Sequence, residues 1–359
     1  MKIAFAVDNL RPTGIVRVVR NIAIALAQEE NAEISIICTG RENTPENYIP
    51  ENITVYNLDI CRYGNRKKYF RYVGALRNLF SGFAPDVLVV AGMEHVPFYA
   101  LAAKMLPETK CIAWEHRNFS AGPRFRLEWL GRRLALKHWD GVLTITKRDK
   151  KQYQDYSGSK DGIYQIYNLT DFSGKRIPYK TDSKKIMSCG YLSPVKGYDL
   201  LLTVAETVFR KKPDWSWDIY GKGALQAELE QEIKTRGLEN NVCLKGYAPN
   251  VQELYGDYAF FVLTSRTEGM GMVLIEAQKA GLPVVSFDIL CGPSDVITDE
   301  QNGYLIPAFD TNQMAEKIME LIDDGEKRKA FSNRSEMHHA EFEKEVILKK
   351  WKEMLGLPG

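Results

Sequence analysis

Short runs of β-branched and aromatic residues recur along this chain, each followed by a stretch whose apolar positions are spaced as in a helix. That alternation constrains the fold more than any single motif. A strand followed by a helix returns the chain to a parallel neighbour, and such crossovers are right-handed, so the pattern predicts an α/β chain of doubly wound sheets. In the first half the predicted strands are Lys2 to Val7, Glu33 to Thr39, Ile53 to Leu58, Val87 to Gly92, Cys111 to His116, Gly141 to Thr146 and Tyr164 to Asn168. Several are apolar almost throughout, as strands covered on both faces must be. The polar segment "LTDFSGKRIPYKTDSKK", from Leu169, breaks the rhythm and reads as a linker. The alternation then resumes with Lys185 to Leu192, Ser216 to Gly221, Val242 to Tyr247, Phe260 to Ser265, Pro283 to Asp288 and Gly303 to Pro307.

A chain of 359 residues is too long for one ordinary core, which agrees with two such domains. The expected boundaries are 1–168 for the first, 169–183 for the linker, 184–335 for the second, and 336–359 for a closing amphipathic helix free to cross back to the first domain. Two doubly wound domains facing each other leave a cleft at the carboxyl ends of their strands, where a ligand belongs.

The net charge of +2 hides a division. Residues 1–168 carry 24 Lys and Arg against 17 Asp and Glu, a net of +7, which leaves the remainder at −5. Two segments, "CRYGNRKKYFRYVGALRNLF" from Cys61 and "RFRLEWLGRRLALKHW" from Arg124, interleave that charge with aromatics. Read as helices, each has a cationic side and an apolar side. Packing on the domain with solvated charges and contact with an anionic membrane or lipid phosphate both stay open. No recognition motif for nucleic acid accompanies the charge. The N-terminus is too short for a signal-peptide core and no apolar run is long enough to span a bilayer, so the expected location is the cytoplasm, with peripheral attachment to the inner face of the membrane left open.

Six scattered cysteines without CxxC pairs are expected to be buried free thiols. No Asp-x-Asp or carboxylate and histidine cluster appears, so neither a metal nor a cofactor is expected. Glu94 and His95 end a predicted strand, open to acceptor contact or to a local loop pair; His338 and His339 are expected in solvent.

The stretch "SRTEGMGMVLIEAQKAGLP", Ser265 to Pro283, carries the most chemistry. A strand ends at Ser265, glycines turn the chain, and a helix runs from Met272 to Ala280, stopped by Gly281 with Pro283 just beyond. The amides of Gly269, Met270, Gly271 and Met272 then stand at a helix N-terminus, a ready site for phosphate. Glu276 sits one turn inside, between Met272 and Ala280 on an apolar stripe. A carboxylate half-buried there must find donors, and a ribose 2′,3′-diol offers two. Glu268, at the mouth of the turn, faces the other end of such a ligand. On a solvated face, Glu276 would instead pair with Lys279 and Glu268 would cap the helix.

This stretch resembles the donor signature of retaining GT-B glycosyltransferases, a large family of polysaccharide and glycan enzymes whose glutamates are separated by seven residues. Ser265, Glu268, Gly269, Glu276, Ala277, Gly281, Pro283, Val284 and Val285 stand in the matching places. The resemblance continues through "GYLSPVKGYDLLL", "IYGKGALQAELE", "CGPSDVI", "NGYLIPAFD" and, in the first half, "PTGIVRVVRNIA" and "WEHRN". It implies a GT-B fold and metal-independent transfer of a sugar, with retention, from a nucleotide diphosphate sugar to a glycan or lipid-linked acceptor, the donor UDP-linked. It further implies that Lys196 and the backbone of Gly14 hold the diphosphate, that His116 meets the sugar or phosphate, and that Glu268 meets a sugar hydroxyl. The sequence departs from the family in placing Tyr191 where an arginine normally assists Lys196, with Lys222 and Arg266 as nearby stand-ins. Thr13 takes the place of one loop glycine and Val16 that of a glutamate before Arg17. A UDP-sugar epimerase of the same fold and a non-catalytic nucleotide-sugar-binding protein are the alternatives.

Overall fold

Apolar runs with both faces covered become interior strands, and here they form two parallel sheets. The structure is a computed structural model that describes residues 1–11, 13–40, 48–60, 66–121, 126–170, 178–335 and 340–358. It divides into one unit of Met1–Leu169 with Glu343–Gly359, and a second of Thr170–Phe342. Parts of both basic segments, residues 171–177 of the expected linker, and His338 and His339 lie outside the described residues.

The first unit alternates β1 (Lys2–Ala6), α1 (Gly14–Leu26), β2 (Glu33–Cys38), β3 (Thr54–Asn57), α2 (Arg66–Gly82), β4 (Val87–Ala91), α3 (Val96–Ala102), β5 (Lys110–Trp114), α4 (Arg126–His138), β6 (Gly141–Thr144), α5 (Lys147–Ser157) and β7 (Ile163–Gln165). Its sheet runs β3-β2-β1-β4-β5-β6-β7, all parallel. The "VLVVA" of β4 is buried at every position. The order reverses between β1 and β4, so the loops after these strands diverge and leave a crevice at their carboxyl ends.

The second unit alternates β8 (Lys185–Cys189), α6 (Tyr198–Phe209), β9 (Ser216–Tyr220), α7 (Gln226–Thr235), β10 (Val242–Gly246), β11 (Phe260–Leu263), α8 (Met272–Lys279), β12 (Val284–Asp288), α9 (Pro293–Val296), β13 (Gly303–Pro307), α10 (Thr311–Asp323) and α11 (Gly325–Ser335). Its sheet runs β10-β9-β8-β11-β12-β13, again parallel, with the reversal between β8 and β11. The end of the expected linker is fastened to this unit: Arg328 donates through Nε to the Tyr179 hydroxyl at 3.1 Å and through Nη2 to the Thr181 carbonyl at 2.7 Å.

The chain closes with α12 (Lys344–Leu355), which belongs to the first unit. Its Trp351 is buried edge-on against Trp114 and Phe5, with centroids at 4.8 and 5.8 Å. Lys110 Nζ donates to the Met354 carbonyl at 2.6 Å. Of the cysteines described, Cys38, Cys111, Cys189 and Cys291 are buried free thiols; Cys243 is exposed, because it sits on β10 at the sheet edge.

Candidate functional site

The reversal point of the second sheet brings the loop after β8 beside the loop after β11. Gly197 makes the meeting tight. Its φ of +64° is left-handed, and a methyl there would be driven into the Thr264 carbonyl oxygen. Thr264 Oγ1 donates to the Lys196 carbonyl at 3.2 Å and the Arg266 amide to that of Val195 at 2.8 Å. Held this way, Lys196 Nζ reaches Glu268 Oε1 at 2.7 Å, and Ser265 Oγ donates to the same oxygen at 2.6 Å. An ammonium and a carboxylate from loops far apart in sequence are therefore locked together at the carboxyl end of the sheet.

Gly271, with φ +73°, caps α8, whose first amides have no acceptor inside the helix. Met270 is buried in the body of the unit, so only its backbone is at the turn, and Met272 is half-buried. Glu276 lies in the second turn of α8 and is 2% exposed. A solvated face for Glu276 is thereby excluded; the Lys279 ammonium donates to the Phe342 carbonyl at 3.2 Å. The apolar stripe of the helix carries the carboxylate inward together with Leu274, Ile275 and Ala277.

The loops after β9 and β10 join the same cluster. The Leu192 amide donates to the Lys222 carbonyl at 2.9 Å, the Gly190 amide to that of Tyr220 at 2.9 Å and the Gly221 amide to that of Gly246 at 2.8 Å. Gly221 and Gly223 pack so closely on the backbone of Gly190 and Leu192 that no side chain fits at either. Tyr191 stands 59% exposed. Of the two stand-in cations, Arg266 is committed elsewhere: it forks onto Asp199 at 2.7 and 2.5 Å and donates to the Pro194 carbonyl at 3.0 Å. That ion pair holds the Asp199 carboxyl below its usual range, the Arg266 hydrogen bond being the main cause.

In the first unit, α1 starts at Gly14 with Thr13 as its cap, Thr13 Oγ1 accepting from the Val16 amide at 3.4 Å. Gly14 is exposed, and a methyl there would meet nothing within 4 Å. His116 lies two residues beyond β5 rather than within it. It is 8% exposed, its ring tilts 40° against Trp114 at 4.4 Å, and its Nε2 is buried without a partner. Burial alone pushes its pKa from 6.5 down to about 3, so the imidazole is neutral. Glu115 is buried beside it and anchors the loop: its Oε2 accepts from Arg132 Nε at 2.9 Å and from the Tyr153 hydroxyl at 2.7 Å, and its Oε1 from the Arg117 amide at 3.1 Å. Sequence reading passed over this anchor because Arg132 and Tyr153 come from α4 and α5. In the structure Arg132 shares the buried face of α4 with Glu128, Gly131 and Ala135, a face that the leucine spacing does not mark. His95 is buried at the start of α3, where its carbonyl accepts the first amides of that helix. Among the described residues no group of three or more His, Cys, Asp or Glu side chains could hold a metal ion.

Comparison with known proteins bears on this arrangement. The family model for glycosyl transferases group 1 matches residues 171–338, and that for glycosyltransferase family 4 matches residues 12–173. The chain is 30% identical over 355 residues to an uncharacterized glycosyltransferase of Haemophilus influenzae, covering 99% of each. It is 26% identical over 366 residues to the amylovoran biosynthesis glycosyltransferase AmsD of Erwinia amylovora, again covering 99% of each. Among solved structures, a mutant of TarM from S. aureus in complex with fondaparinux, alpha-GlcNAc-glycerol and UDP superposes with a TM-score of 0.83 at 18% identity, over 99% of each chain.

Proposed function

The chain belongs to the glycosyl transferases of group 1 and is a GT-B glycosyltransferase, and on that premise we propose that it moves a sugar, with retention, from a UDP-sugar to a hydroxyl of a glycan or lipid-linked saccharide. The observation that carries the donor assignment is Glu276, 2% exposed and one turn inside a helix whose mouth carries the paired Lys196 and Glu268. From that position a carboxylate can accept from two adjacent hydroxyls, which is what a ribose 2′,3′-diol offers.

The charge that must be met is that of the leaving diphosphate. The C1–O bond of the donor breaks, the acceptor oxygen bonds to C1 from the same face, and its proton passes to the departing phosphate oxygen. No protein nucleophile takes part. Lys196, with two further N–H groups beyond the one on Glu268, and the amides of Gly269 to Met272 stabilise that charge without a metal. In the first unit Gly14 has the open backbone a phosphate can approach. His116 serves the sugar: a neutral imidazole is better suited to a hydroxyl than to a phosphate, because it has one donor and one acceptor and no charge. Glu268 takes another sugar hydroxyl.

The first unit is assigned the acceptor. Its basic helices α2 and α4 leave Phe70, Trp129 and Leu130 exposed, Phe70 at 78%, and this mixture of cationic and apolar surface suits an anionic membrane carrying a lipid-linked acceptor. No described helix is long and apolar enough to cross a membrane.

Thermal-shift titration tests the donor site. UDP should raise the melting temperature more than GDP or ADP, and UDP more than its 2′,3′-dideoxy analogue. Glu276→Ala should erase the second preference, a loss of about 1.5–3 kcal/mol in binding for hydrogen bonds to a charged group. Equal response of wild type and variant to both ligands would remove Glu276 from the ribose. Absence of free epimerised sugar nucleotide when acceptor is omitted separates transfer from epimerisation.

A further inference from the structure

We infer that Lys222 is a second phosphate-binding cation of the donor site, supplying the positive charge that Tyr191 does not. The inference rests on the donor reading above and extends it to a residue that no motif match assigned.

A nucleoside diphosphate brings at least two negative charges, and more develops on the leaving group, yet the loop from Tyr191 to Gly197 contains one cation, Lys196. That cation already shares its ammonium with Glu268 at 2.7 Å. A second positive charge must come from a neighbouring loop. Arg266 cannot leave Asp199 and the Pro194 carbonyl without breaking a forked ion pair and loosening the loop that carries Lys196.

Lys222 is placed differently. Its carbonyl takes the Leu192 amide at 2.9 Å, so its Cα is fixed beside Tyr191. Gly221 abuts the Gly190 carbonyl, while the opposite flank of Gly190 is packed by the stem of Lys196, with Cε 3.2 Å from where a methyl would stand. The stem of Lys196 and the backbone next to Lys222 thus both pack on Gly190, from the β8 and β9 loops. Among the described residues Lys222 makes no ion pair; its Nζ lies over the Tyr247 ring, 4.8 Å from the centroid, on an exposed tyrosine. A cation over an exposed ring is held more weakly than one hydrogen-bonded to a phosphate, so the ring does not commit the Lys222 ammonium as Asp199 commits Arg266.

Isothermal titration of UDP and of uridine into the full-length protein tests this, with Lys222→Met and Lys222→Arg as variants of an exposed side chain. Lys222→Met should weaken UDP by about tenfold or more, leave uridine unchanged and flatten the salt dependence of UDP binding, and Lys222→Arg should restore most of the affinity. UDP affinity unchanged in Lys222→Met overturns the proposal, as does equal weakening of uridine, which would mean a role in shaping the loop. The donor reading is judged separately by Glu276→Ala. If that variant binds UDP as wild type does while Lys222→Met does not, the phosphate site stands and the ribose site falls; if wild type binds no UDP, both fall.

Discussion

His116 is a base made unusable as a base. Its pKa is pushed down to about 3 by burial, so between about pH 3 and 6.5 the unfolded chain binds a proton that the folded chain refuses. Stability from this ring is full above about pH 6.5 and falls by about 1.4 kcal/mol for each unit below it. The His116 Cε1 proton resonance should therefore stay fixed as pH is lowered from about 7.5 to about 5; an inflection near 6.5 would place the ring in water instead. The sequence could single out this histidine and the two glutamates because each stands at a strand end or on a helix stripe that local spacing reveals. It could not show that Lys196 pairs with Glu268, 72 positions away, nor that Arg266, an apparent spare cation, is taken by Asp199, 67 positions away. Both facts depend on which strands become neighbours at the reversal of the sheet.

The elements themselves were largely written in the spacing of apolar residues, and each predicted strand is present. Several end earlier than their apolar runs. The run from Lys185 continues to Leu192, but β8 stops at Cys189; the run to Ser265 gives a β11 that stops at Leu263. Leu192, Thr264 and Ser265 keep their burial while leaving the ladder, because the loops they belong to are packed against one another, whereas Tyr191 turns out to solvent. Pattern reports burial, not hydrogen bonding, and at the carboxyl ends of these strands the two part company. The tightness of this loop layer is open to test. Gly197→Ala suffers both a left-handed φ and a clash with the Thr264 carbonyl, whereas Gly237→Ala, at φ +65° with nothing within 4 Å, suffers only the first. Gly237→Ala should cost about 1–2 kcal/mol and Gly197→Ala about 1–3 kcal/mol more, read as melting temperatures, with UDP affinity reduced only in the latter. Equal costs would mean that the two loops are not in firm contact.

For the whole molecule, length and alternation indicated two domains, and the division of charge into +7 and −5 was visible by counting. What lay beyond periodicity was the destination of the last helix. An amphipathic stripe states that a helix is covered, not by what. In the structure Trp351 fills the space beside Phe5 and Trp114, beneath the strand that leads to His116. Trp351→Ala should cost the first unit about 3–5 kcal/mol, seen as faster amide exchange in β1 and β5 with β8 to β13 unchanged. Uniform loss of protection would show that the two units open together. Because residues 343–358 complete a unit begun at residue 1, everything from Thr170 to Phe342 is, topologically, an insertion. In chain order the whole of the inserted part precedes Trp351, on which its host depends. The second unit should thus hold together without α12, and a released chain ended just short of that helix should still bind UDP if the proposed donor site is right, while its first unit stays unfinished.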